Sequence, residues 1–224
     1  SYLHSFQPDK AGEVPKMESI PDSAQISSSF DYRKGDYLFD QLDVQAGFSD
    51  GTRLLKMNGF KRSYAGSFGQ YVQPEGILTP NQQSYRLDYL ASFDTEKVQA
   101  SVAHFVTNSG LPDSIMNGHH ENITTVAGIS YSKTDTTKTF QVFGSQFNQE
   151  RRVELSSIFT YLNRTHLHFR WIWNAYKTVG FFADKQSIMQ DELRDLKWVT
   201  IYGGLNGERL TTSLGGSFMS EGKS

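Results

Sequence analysis

The chain has 224 residues, with 22 Lys and Arg against 24 Asp and Glu and a formal net charge of −2 at pH 7, a length that means one domain or at most two. That balance argues against a nucleic-acid binder, which gathers a basic excess on one face. There is no cysteine, which excludes disulfide frameworks, thiolate zinc sites and cysteine nucleophiles together, and a mean hydropathy of −0.50 is too polar for a helical membrane protein.

Residues 1–25 show no hydrophobic period and read as an irregular N-terminal segment or loop; residues 26–224 read as an array of β-hairpins. The opening Ser-Tyr-Leu-His-Ser lacks the basic region and apolar stretch of a signal peptide, as expected of a mature form or an excised piece. From Ile26 onward the period is two rather than 3.6. Ile26, Ser28, Phe30 and Tyr32 share one face of the first segment. Leu42, Val44, Ala46 and Phe48 alternate with Gln41, Asp43, Gln45 and Gly47 in the next, and Leu55 and Met57 oppose Lys56 and Asn58. Tyr85, Leu87, Tyr89, Ala91 and Phe93 then lie opposite Arg86 and Asp88, followed by Val98, Ala100, Val102 and Val106. Thr125, Ala127, Ile129 and Tyr131 come next, and two segments, 139–147 and 155–162, carry large apolar groups on both faces. Leu167, Phe169, Trp171, Trp173 and Ala175 form the strongest stripe, opposite His166, His168 and Arg170; Val199, Ile201 and Leu205, then Leu210, Leu214 and Phe218, complete eleven strands.

Short links rich in turn formers join these runs in pairs, the signature of a hairpin: Ser49-Asp50-Gly51-Thr52, Asp94-Thr95-Glu96-Lys97, the 133–137 segment, Asn163-Arg164-Thr165 and Asn206-Gly207-Glu208. Between hairpins the expected links are mostly long, at 65–81, 107–121 and 177–196, with a shorter one at 149–152. The fold class is therefore all-β, an antiparallel up-and-down meander of ten to eleven strands. Closing such a meander, wholly or in part, into a barrel removes its edges.

Alternation alone fits two solvents. A soluble barrel or sandwich turns the apolar face inward around an apolar ligand; a membrane barrel turns it to lipid, the one β-architecture that satisfies its backbone inside a bilayer. Runs of about 9 to 12 residues match tilted membrane strands better than soluble ones. Bulky aromatics at the ends of the stripes (Tyr85 and Phe93, Tyr131, Phe48, Phe218) match an aromatic girdle. With these features, and segments such as Gln83-Ser-Tyr-Arg-Leu-Asp-Tyr-Leu-Ala-Ser-Phe93, the chain resembles the bacterial outer-membrane β-barrels, porin-like proteins in particular. The resemblance implies location in the outer membrane of a Gram-negative-type bacterium, contact with the lipid bilayer or lipopolysaccharide, and passive movement of small solutes or ions through a polar lumen. No cofactor is expected, and no enzymatic activity, because the sequence carries no catalytic motif. Two departures, an odd strand count and a non-aromatic C-terminus, point to a section of a larger barrel.

On this reading Asp43, Lys56, Arg86, Asp88, His166, His168 and Arg170 line the pore, where charges pair with one another and bias ion passage. His166 and His168 at i and i+2 carry the ligand types for a metal, but no third ligand from another strand is identifiable; His119-His120-Glu121 also has the ligand types, in an expected loop that gives no fixed geometry. No Gly-x-Ser-x-Gly elbow occurs, and Gly203-Gly204-Leu205-Asn206-Gly207 reads as a hairpin turn rather than a phosphate loop because no helix follows it.

Overall fold

A computed structural model describes residues 19–35, 39–63, 81–110, 119–153, 158–173, 177–189, 193–206 and 211–223. They form one antiparallel sheet of eleven strands whose spatial order is their order in the chain. The strands are β1 (Gln25–Lys34), β2 (Asp40–Ser49), β3 (Arg53–Ser63), β4 (Asn81–Phe93), β5 (Glu96–Gly110) and β6 (His119–Thr134), then β7 (Lys138–Val153), β8 (Ile158–Trp173), β9 (Lys177–Met189), β10 (Leu193–Asn206) and β11 (Thr211–Lys223). Among the described residues β1 pairs only with β2, and β11 only with β10, so the described sheet has two edges. From β4 onward every strand has 13 to 16 residues, well beyond the roughly 5–6 usual in soluble proteins.

The turns at one end are built as their sequences demand. In the β2–β3 turn Asp50 Oδ1 accepts from Thr52 N at 2.9 Å, Thr52 Oγ1 at 2.8 Å and Arg53 N at 2.6 Å. Gly51 takes φ +88° there, a conformation that glycine adopts without penalty. The β4–β5 link is the two residues Asp94 and Thr95, with Asp94 at φ 43°, a region that Asp tolerates better than most residues. Neighbouring turns are stitched together, Ser92 N donating to Thr52 O and Thr134 N to Thr95 O, each at 2.8 Å.

The eleven strands differ from the expected eleven in the C-terminal half. Asn163-Arg164-Thr165 is no turn; it lies inside β8, directly opposite Asn148, Phe147 and Gln146 of β7. The expected link at 149–152 belongs to β7, and the expected long link at 177–196 contains the whole of β9 and the start of β10. The segments expected at 155–162 and 167–175 are one strand, β8, and β9 is an additional one, so the two counts coincide. The physical reason is that β7, β8 and β9 are long enough to carry polar residues past the apolar stripe. Asn, Arg, Asp and Lys there look like turn formers but continue the ladder. His119-His120-Glu121 likewise opens β6 rather than lying in a loop, and 203–206 of the glycine-rich run belong to β10. Of the expected 107–121 link, 107–110 belong to β5; residues 1–18, 65–80, 111–118, 155–157, 174–175 and 207–210 of the expected segments lie outside the described residues.

Burial is inverted with respect to polarity. Residues directly opposite one another share a face of the sheet, and the register sorts Phe30, Val44, Leu55, Leu87, Val102, Ile129, Phe169, Phe181 and Ile201 onto one face. That face is exposed: Ile129 is 58% and Ile201 63% accessible. On the other face His168 and Asp184 are only 2% and 4% accessible, with Ser49, Ser130, Ser132, Leu54, Leu90, Phe143 and Phe182 also buried. The polar face is therefore the one on which neighbouring side chains cover each other. Phe140, Phe169 and Phe181 form a continuous aromatic contact on the apolar face, with ring centroids 5.1 and 5.5 Å apart, and Trp171 stacks on Trp173 at 5.0 Å.

Candidate functional site

Following the pairing register across the polar face gives ladders of directly opposed residues, one per strand. One such row runs Ser27, Gly47, Lys56, Asp88, Ser101, Gly128, Ser145, His166, Asp184, Trp198 from β1 to β10. Three of the expected pore-lining residues, Lys56, Asp88 and His166, thus fall on a single row of a sheet in which they lie on strands β3, β4 and β8. The adjacent row, one step further from the short turns, carries Arg86 on β4 and Arg164 on β8. The first row thus carries the carboxylates Asp88 and Asp184 beside Lys56 and His166, and the second carries the guanidinium groups of Arg86 and Arg164.

The two rows are joined by ion pairs. Arg86 Nε lies 2.5 Å from Asp88 Oδ2, and Lys56 stands directly opposite Asp88. Around β8 and β9 the association is denser. Asp184 Oδ1 accepts from Arg164 Nε at 2.9 Å and Nη2 at 2.8 Å, and His166 Nδ1 lies 2.9 Å from the same oxygen. The Arg164 guanidinium also lies 5.5 Å from the Trp198 ring, a distance at which a cation is attracted to the aromatic face. His168 Nε2 is 2.7 Å from the Tyr202 hydroxyl, and Arg170 donates to Gln141 Oε1 through Nε at 2.9 Å and Nη2 at 2.6 Å. Tyr202 can lie there because its partner across the ladder is Gly180: a Cβ at that position would stand 2.6 Å from the Tyr202 hydroxyl and 2.5 Å from Phe169 O.

Asp43 is not part of either group. It stands opposite Phe60 on β3 and Asp31 on β1, and its carboxylate is bound by Gln41 of its own strand. The i, i+2 histidines do share a face, with ring centroids 6.1 Å apart, but their nitrogens engage Asp184 and Tyr202 respectively, and among the described residues no group of three potential ligands converges. His120 Nε2 accepts from Arg151 Nε at 2.9 Å.

One oxygen of each carboxylate remains without a hydrogen-bond partner while buried, Asp88 Oδ1 and Asp184 Oδ2. Unmet acceptors in a buried setting carry a free-energy cost that a donor from water or a solute relieves. Between β1 and β4 the polar face also opens into a cavity of about 410 Å³ lined by Gln45, Lys56, Asn58, Arg86 and Asp88, with Pro21 of the segment before β1 at its margin.

The residues that sequence reading did not find are Asp184, Arg164 and Tyr202. Their signal was present as parity: Asp184 shares its face with Phe182 and Gly180. It was hidden because β9 carries Phe181 and Phe182 on opposite faces and because Arg164 sits in a tripeptide with turn composition. No protein-family profile matches the chain, and no curated protein or solved structure matches it either.

Proposed function

We propose that this chain forms part of an outer-membrane, porin-like β-barrel whose polar face lines a passage for small solutes or ions. The observation that carries this reading is the placement of the apolar surface relative to the ladder. One row is apolar on nearly every strand: Ile26, Phe48, Leu55, Tyr89, Ala100, Ile129, Gly144, Leu167, Ala183, Val199 and Phe218. Away from it the apolar surface drifts. On β2–β5 it continues away from the short turns through Ala46, Met57, Leu87 and Val102, where β7–β10 present Gln146, Thr165, Lys185 and Lys197 in the same row. On β7–β10 it continues the other way, through Phe140, Trp171 and Val179. A belt that runs diagonally to the pairing register is what a flat hydrocarbon slab imposes on strands tilted by about 35–45°.

Strands β1 and β11 are ten steps apart in an alternating meander and so run in the same direction. Neither self-closure nor a ring of identical copies would then pair them antiparallel, whereas an odd number of further strands would. A bilayer admits no unpaired sheet edge, so on this reading both edges are covered, and the rest of a larger barrel is the partner proposed for them. Inside, the ion-paired rows set the field met by a solute; neutralising Asp184 shifts that field toward anions.

The test is circular dichroism of the refolded chain with and without detergent micelles, together with gel mobility before and after boiling. β-Structure that requires detergent, with heat-modifiable mobility, supports the proposal and makes ion current across a reconstituted bilayer the next reading. A cooperative β-fold in plain buffer would instead favour a soluble β-barrel or sandwich holding an apolar ligand.

A further inference from the structure

Gly59 interrupts the apolar face at β3. Its partners across the ladder are Val44 and Tyr85, and a Cβ there would meet Tyr85 Cδ1 at 3.2 Å. Around this position lies a groove of about 470 Å³ bounded by Leu42, Val44, Met57, Leu87 and Val102, with Asn58, Lys61, Arg86 and His104 among the residues that line it. Met57, Leu87 and Val102 are 42–45% accessible, so the groove opens on the apolar face. From this we propose that the groove seats one acyl chain of a lipid whose anionic, phosphate-bearing headgroup meets Lys61. The inference rests on the membrane reading above.

Two features select this occupant. On β2–β4 the apolar belt is displaced away from the short turns, so the groove lies in the half of the belt that faces the longer links. Lys61 is two residues beyond Gly59, roughly 7 Å along an extended strand, and is exposed. Its flexible stem carries an ammonium to the level where a phosphate sits while the methylenes cover apolar surface. An apolar slot capped by a cation at its polar end matches an anionic amphiphile better than a zwitterionic one, whose phosphate is accompanied by its own cation. His104 at the same end is held by Thr125, Nδ1 to Oγ1 at 2.9 Å, which fixes the rim on the β5 side.

The experiment uses the chain folded in neutral detergent micelles, titrated with phosphatidylglycerol or phosphatidylcholine of identical acyl chains, with retained lipid read by native mass spectrometry. One retained phosphatidylglycerol, preferred over phosphatidylcholine by about five-fold, is expected from one lysine near the headgroup plane. Lys61→Glu should abolish the preference, Val44→Phe should reduce retention of both lipids by filling the slot, and Lys197→Glu, away from the groove, should leave both unchanged. Equal retention of the two lipids, an unchanged preference in Lys61→Glu, or an equal loss in Lys197→Glu would overturn the proposal, as would a dimer forming in place of the lipid complex. If the chain folds without detergent, it is the membrane reading that fails; if it folds in micelles and shows no preference, only the lipid site does.

Discussion

Asp184 is where the interior electrostatics are most concentrated, because one nearly inaccessible carboxylate holds both Arg164 and His166. Truncating one partner of a buried pair leaves the other uncompensated, at about 3–5 kcal/mol. Asp184→Ala should therefore lower unfolding stability in micelles by about that amount, measured by denaturant titration. The exposed pair Arg33–Asp31, with side chains 66% and 48% accessible, supplies the contrast: Asp31→Ala should change stability by under about 1 kcal/mol. Space decides a second case. Gly180→Ala must displace Tyr202 and the β8 backbone and should cost about 1–3 kcal/mol. Gly216→Ala meets nothing within 4 Å and should be near neutral in the same titration. A third residue carries a pH dependence. Backbone and hydroxyl donors from Thr52, and the Arg53 N–H, hold the Asp50 carboxyl below its ordinary value of 3.8. A depressed folded-state pKa contributes stability above the unfolded value that is lost as pH falls through the folded one. The difference in unfolding midpoint between the wild type and Asp50→Asn should be flat at neutral pH and shrink below about pH 4.

At the scale of elements, the chain is a set of hairpins whose polarity pattern outlasts its apolar pattern. Strands β2 to β6 were legible because each apolar stripe ends near a recognisable turn, as at Asp50-Gly51 or Asp94-Thr95. Strands β7 to β9 were not. They extend beyond the stripe, so that Asn163 and Thr165 are polar for the same reason that a loop is, and β9 interleaves Asp184 and Lys185 with Phe181 and Phe182. Most of the charged row was visible as residue types, Lys56, Arg86, Asp88 and His166, but their alignment on neighbouring rows depends on a register that periodicity does not supply. The diagonal belt gives this scale its prediction. Leu87 and Thr165 lie in one cross-strand row, yet only Leu87 falls within the belt. Leu87→Arg should cost about 2–4 kcal/mol, the penalty of a cation in the hydrocarbon layer, and impair insertion into vesicles, whereas Thr165→Arg should be tolerated. Equal effects would mean that the apolar surface follows the register and not a membrane plane.

For the whole molecule the decisive property is that the two faces have exchanged the usual relation between polarity and exposure. A soluble sheet gains most of its stability by removing apolar area from water, about 25 cal/mol per Å². Here Ile129, Ile201, Leu214 and Phe218 remain 58–85% accessible while ion pairs and histidines are covered, an arrangement that water penalises and lipid does not. The same exchange accommodates a balanced, cysteine-free composition and a negative mean hydropathy, because every second residue faces the polar side.

The most direct measurement is nitroxide scanning of neighbouring positions on β3 in the vesicle-reconstituted protein, read by the accessibility of each label to oxygen and to a water-soluble paramagnetic reagent. Met57, on the apolar face, should be reached by oxygen and not by the aqueous reagent, and Asn58, on the cavity face, should show the opposite preference. Aqueous access at Met57 with a tightly packed label at Asn58 would contradict the assignment of the two faces.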